Sequence, residues 1–222
     1  MTQSRILSLT PLLAVIAVAA CSTELDQNLP QDQAEETAQD AFWAALSSHC
    51  GKAYAGKLVS NDAADADFAG AAMRMHVREC SDAKISIPFH VELDGEWDRS
   101  RTWVITRNDA GGLRLKHDHR HKDGEPDEVT MYGGDTDSAG ANSSQSFPVD
   151  AESIALFERS DLTASVTNVW TVEVDPVDEA GGTFAYQLQR TEEQGAPEDR
   201  FFRVEFDLSE EVAAPPAAWG QD

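Results

Sequence analysis

The sequence predicts a mainly β protein: a single antiparallel up-and-down β-barrel of about ten strands, preceded by one N-terminal helix. Three observations predict it. From Tyr54 onward apolar residues recur at every second position, the period of a strand with one buried face. Short Gly-, Asp- and Pro-containing clusters separate these runs and suit tight antiparallel connections. A sheet of about ten such strands must curl to hide its apolar face and remove its edges, and the simplest closure is a barrel. A two-sheet β-sandwich is the alternative.

The helix comes first. Between residues 35 and 49, Ala38, Phe42, Ala45, Leu46 and His49 fall on one face, and Gly51 stops the run. It is short, so its apolar stripe is expected to cover a barrel end. Tyr54 to Ser60 reads as the first strand, followed by a polar Ala/Asp-rich loop over 61–70. Met73, Met75 and Val77 then alternate with Arg74, His76 and Arg78. Ile85, Ile87, Phe89, Val91 and Leu93 alternate with Ser86, Pro88, His90 and Glu92, and Asp94-Gly95 makes the next turn. Trp103 and Ile105 mark the strand over 102–107, and Gly111-Gly112 turns the chain into 113–121. Val129 to Tyr132 reads as a short strand ended by Gly133-Gly134, with a long loop over 135–145. Residues 150–159 fit a short helix or a strand equally. Three clear strands follow, carrying Val166, Trp170, Val172 and Val174, then Phe184, Tyr186 and Leu188, then Phe202, Val204, Phe206 and Leu208. Pro215-Pro216 lies in a segment, 211–222, expected to be a disordered tail.

Composition narrows the partners. The formal net charge is −23, which repels nucleic-acid phosphates and excludes a nucleic-acid-binding reading. At 41% hydrophobic, the chain can fill a core, so it is not read as disordered.

The N-terminus speaks for location. Arg5 precedes an uncharged apolar run from Ile6 to Ala20, shorter than the roughly 20 residues a spanning helix needs but fit for a signal peptide. That run ends in Val18-Ala19-Ala20-Cys21, which resembles the lipobox of bacterial lipoproteins, with Val18 where the family usually has Leu. The resemblance implies a signal peptide over 1–20, lipidation of Cys21, a polar tether over 21–34 and a barrel domain over 35–210. Ser22 rather than Asp after the cysteine implies the outer membrane, facing the periplasm or the outside. An exported chain meets an oxidising compartment, so Cys50 and Cys80 are expected to form a disulfide. On the chain-entropy account such a loop is worth about 3–4 kcal/mol.

The mature domain is similar in topology to lipocalin-like barrels, in which a short helix and a Gly-rich first strand occur; Gly51-Lys52-Ala53-Tyr54-Ala55-Gly56 stands at the matching place. The Gly-x-Trp signature of lipocalins is absent from that first strand. The chain also reads like the uncharacterised exported lipoproteins of bacteria.

One cluster invites chemistry. His117, His119 and His121 share strand parity with Leu113 and Leu115, while Arg114, Lys116, Asp118, Arg120 and Lys122 face the other way. Adjacent imidazoles two residues apart can hold zinc, and such a strand could also serve haem, but rings four residues apart lie about 13 Å apart and cannot share one ion. A polar rim at a barrel mouth is the plainer reading. No Gly-x-Ser-x-Gly, His-Glu-x-x-His or phosphate-binding Gly loop occurs, so no catalytic residue is assigned. The expected function is non-enzymatic: binding of a small apolar or amphipathic ligand inside the barrel, touched by Met73, Met75, Phe89, Trp103, Trp170 and Tyr186, with His117 and His119 near the mouth. Met131 is expected to face inward with Met73 and Met75. The alternatives are an envelope scaffold with a filled core that docks a protein partner, and a metal or haem binder.

Overall fold

The computed structural model describes Met1 and residues 36–221. The segments expected to be a signal peptide and a tether, with Cys21 between them, lie outside the described residues. Helix α1 (Ala38–Ser47) is followed by strands β1 (Ala53–Leu58), β2 (Met73–His76), β3 (Glu79–Cys80), β4 (Lys84–Leu93), β5 (Glu96–Arg107), β6 (Leu113–His119), β7 (Tyr132–Asp135) and β8 (Ser144–Pro148). Helix α2 (Ala151–Arg159) precedes β9 (Val169–Val174), β10 (Thr183–Arg190) and β11 (Arg200–Val212).

The strands form one antiparallel sheet in the order β7-β6-β5-β4-β2-β1-β11-β10-β9-β8, with β3 pairing β4 beside β2. Sequential strands are neighbours except at β2–β3 and β7–β8, and the first and last strands join through β1–β11. The two path ends, β7 and β8, approach each other through a bridge between Gly134 and Val149 and a bond from Asp150 N–H to the Gly133 carbonyl, 3.0 Å. The result is a nearly closed ten-strand barrel, as the alternation predicts.

Helix α1 starts at a reciprocal cap: Asp40 N–H donates to Thr37 Oγ1 at 3.1 Å, and the Asp40 carboxylate accepts from Thr37. It buries Phe42, Trp43, Ala45 and Leu46, and Asp40 pairs with Arg107 at the end of β5. This end of the barrel is thereby covered. His49 is buried as its parity predicts; its Nε2–H donates to the Asp175 carbonyl and its Nδ1 accepts from the Tyr54 hydroxyl. Cys50 and Cys80 form a disulfide with Cα atoms 6.1 Å apart, tying the chain after α1 to β3.

Inside, alternate residues meet across the barrel. Met73, Met75, Ile85, Ile87, Ile105, Leu115, Trp170, Val204 and Phe206 are all at most 1% exposed. Trp103 is stacked between Phe89 (centroids 4.8 Å apart) and Tyr186 (4.5 Å). The middle of the barrel is a packed core.

Three local expectations are corrected, and one open alternative is resolved. Gly133 and Gly134 do not end a strand; they lie within β7, because a Cβ at Gly133 would overlap the Leu115 carbonyl and one at Gly134 the Pro148 carbonyl. Residues 150–159 are helical, capped by the Asp150 carboxylate accepting from Ser153 N–H at 2.8 Å. Met131 is 46% exposed with φ of 56°, at a turn rather than on an inward strand face. The segment read as a disordered tail first completes β11, to Val212, and then lies over β5: Arg99 Nη1 donates to the Ala217 carbonyl (2.7 Å), Trp219 N–H to the Arg99 carbonyl (3.1 Å) and Gln221 Nε2 to Thr102 Oγ1 (2.9 Å). These bonds and the burial of Ala218 supply what composition alone does not reveal.

Candidate functional site

At the barrel end opposite α1, where β5 starts and β6 ends, the packed core gives way to a cavity of about 250 Å³. Register builds it. Trp103 on β5 lies opposite His117 on β6, which lies opposite Tyr132 on β7; Arg101 lies opposite His119. Tyr186 and Leu188 come from β10, Arg200 and Phe202 from β11. A 3₁₀ helix in the β1–β2 loop, Ala63–Phe68, brings Asp65 and Phe68 over the opening.

Of the residues expected to touch a ligand, Phe89, Trp103, His117, His119 and Tyr186 line this cavity. Met73, Met75 and Trp170 do not; they are buried in the core below it, packed against neighbours. His121 is exposed beyond the end of β6, where its N–H donates to the Glu125 carbonyl. The three histidines are therefore not brought together. Among the described residues no three His, Cys, Asp or Glu side chains gather as a metal site.

Both nitrogens of His117 are engaged. The Tyr132 carbonyl can only accept, so Nδ1 carries the proton and donates to it at 3.0 Å. Nε2 then accepts from the Tyr186 hydroxyl at 2.7 Å. Burial pushes the His117 pKa down to about 3. The Tyr132 hydroxyl lies 3.2 Å from His119 Nε2. Burial, and next the charge of Arg101, bring His119 down to about 4. Burial raises Tyr132 to about 12 and Tyr186 well above its ordinary value. At neutral pH the imidazoles are thus uncharged and the phenols protonated.

The charges at the mouth are paired. Arg200 makes a two-pronged ion pair with Asp65, with Nη1 to Oδ2 at 2.9 Å, and also reaches Asp62 at 3.1 Å. Arg101 pairs with Asp98 and lies over the Phe68 ring, 5.6 Å from its centroid. The site is an aromatic chamber with a polar rim, suited to holding an apolar body and orienting one polar group.

Sequence reasoning missed Asp65, Phe68, Arg101, Tyr132, Leu188, Arg200 and Phe202 as cavity residues. Arg101, Leu188, Arg200 and Phe202 were within reach, since each has the inward parity of its strand. Asp65 and Phe68 sit in a polar loop with no period to betray them. No protein-family model matches the chain, and no curated protein matches it either.

Proposed function

We propose that this chain is a lipid-anchored protein of the bacterial cell envelope that binds a small apolar or amphipathic molecule, without catalysis, in the chamber at the barrel mouth. The observation that carries the binding reading is the cavity of about 250 Å³ walled by Phe68, Phe89, Trp103, Tyr132, Tyr186 and Phe202. A barrel that needed only stability would gain by filling that volume. The anchoring reading rests on Val18-Ala19-Ala20-Cys21, and Ser22 rather than Asp after the cysteine supports the outer membrane as its location.

Two experiments test the halves separately. Full-length chain expressed in a bacterium is expected to incorporate labelled palmitate and to lose it in Cys21→Ser; labelling that persists in the variant, or none in either, ends the anchor reading. Native mass spectra of the purified protein, before and after denaturation, are expected to differ by the mass of a small organic molecule. A metal or haem mass, or a protein partner retained instead, would replace the small-ligand reading.

A further inference from the structure

We propose that the chamber selects a small aromatic carboxylate, with the ring among the aromatic walls and the carboxylate received by Arg101 and His119. This rests on the binding reading above and adds the chemical class of the ligand.

The argument starts from which polar groups are already spent. Asp65, the one carboxylate lining the cavity among the described residues, is 2% exposed and occupied by Arg200. Arg200 in turn is taken up by Asp65, Asp62 and the Phe201 carbonyl. His117 has both nitrogens engaged. Arg101 differs: Nη1 reaches Asp98, and its other N–H groups make no hydrogen bond among the described residues. His119 Nδ1 is likewise without a partner among the described residues. The Tyr132 hydroxyl and His119 Nε2 share one hydrogen bond at 3.2 Å, and in the tautomer that carries the proton on Nδ1 the hydroxyl donates to Nε2. Arg101 and His119 lie opposite each other in register on β5 and β6, and both side chains line the chamber. This part of the wall offers the N–H groups of a guanidinium whose charge is shared with Asp98. A cationic head would meet Arg101 without a free carboxylate to offset it, whereas a carboxylate meets charge-assisted donors.

Size and shape set the rest. About 250 Å³ exceeds the roughly 150 Å³ that holds benzene and falls short of drug-sized sites, which leaves room for about a dozen non-hydrogen atoms. Aromatic walls favour a rigid ring in offset or edge contact over a flexible chain that must be ordered. The overall charge of −23 does not forbid an anion here, because surface charges beyond a Debye length of about 8 Å are screened, while Arg101 is adjacent.

The test is calorimetric titration of the chain carrying Cys21→Ser, purified without detergent, with 2-naphthoate and with neutral 2-naphthamide. The carboxylate is expected to bind one-to-one at least tenfold tighter than the amide. In Arg101→Gln that preference should fall to near one while amide affinity persists, which also shows that the variant is folded; Arg101→Lys should keep part of it. Equal binding of both compounds to the parent overturns the carboxylate assignment and leaves the apolar site standing. Binding of neither compound removes the binding reading as well. A preference that survives Arg101→Gln assigns selection elsewhere and overturns the role given to Arg101.

Discussion

His90 is fully buried, and neither ring nitrogen finds a hydrogen-bond partner among the described residues. It stands on the outer face of β4, where parity predicts a solvated side chain; Pro88 on the same face is registered with Thr102, to which the C-terminal segment bonds. Burial, then the charge of Arg99, holds the ring neutral with a pKa of about 4. His90→Leu removes two unsatisfied polar atoms at similar volume and is expected to stabilise the fold by about 1–3 kcal/mol in urea unfolding at neutral pH. The same ring has a pH signature shared with His117 and His119. All three bind a proton less readily folded than at their ordinary value of 6.5, at about 4, 3 and 4. The unfolded chain therefore holds more protons between pH 6.5 and about 4. Stability is full above pH 6.5 and falls as pH drops towards 4, by up to about 1.4 kcal/mol per pH unit for each histidine. Urea midpoints measured across that range should show a shallower fall in His90→Leu than in the parent.

At the level of elements, the long alternating strands were legible because one buried face leaves a period of two in residues such as Ile85, Ile87, Phe89 and Val91. The elements without a period were not. Strand β7 contains two glycines, which composition reads as punctuation, yet their missing side chains are what let β6 and β8 come close. Gly134→Ala would set a methyl group against the Pro148 carbonyl and is expected to cost about 3 kcal/mol or more, seen as a lowered midpoint of thermal unfolding. The 3₁₀ helix over the cavity was hidden for a different reason: its anchor is an ion pair spanning 135 residues in sequence. Asp65→Ala leaves Arg200 with Asp62 as its carboxylate partner. It is expected to destabilise by no more than about 3 kcal/mol and to speed both entry and exit of a bound ligand, measurable by stopped-flow Trp fluorescence. Slower exchange would show that Asp65 does not hold the cover in place. Most of the chamber wall was foreshadowed by parity, but its position needed the packing: Met73, Met75 and Trp170 have the same inward parity as Phe89 and Trp103 and lie where neighbours fill the barrel.

For the whole molecule, up-and-down order follows from short connections between sequential strands, so the barrel was legible before any contact was known. What connectivity could not convey was how the closure is made. Strand β11 pairs along β10 and also carries β1, from Ala53 opposite Val212 to Leu58 opposite Val204. A chain ending at residue 199 therefore loses a partner on two strands at once, and is expected to show no cooperative unfolding transition by circular dichroism. A sharp transition in that truncated chain would mean that the sheet is stable with an open edge.

The pairing of β1 with β11 also sets a clock. A barrel that joins its first strand to its last cannot close while the ribosome is still adding residues before Arg200. At ordinary elongation rates the nascent chain stays open for on the order of ten to forty seconds. During that interval β1 lacks one of its two strand partners, and its open edge is available to other polypeptides.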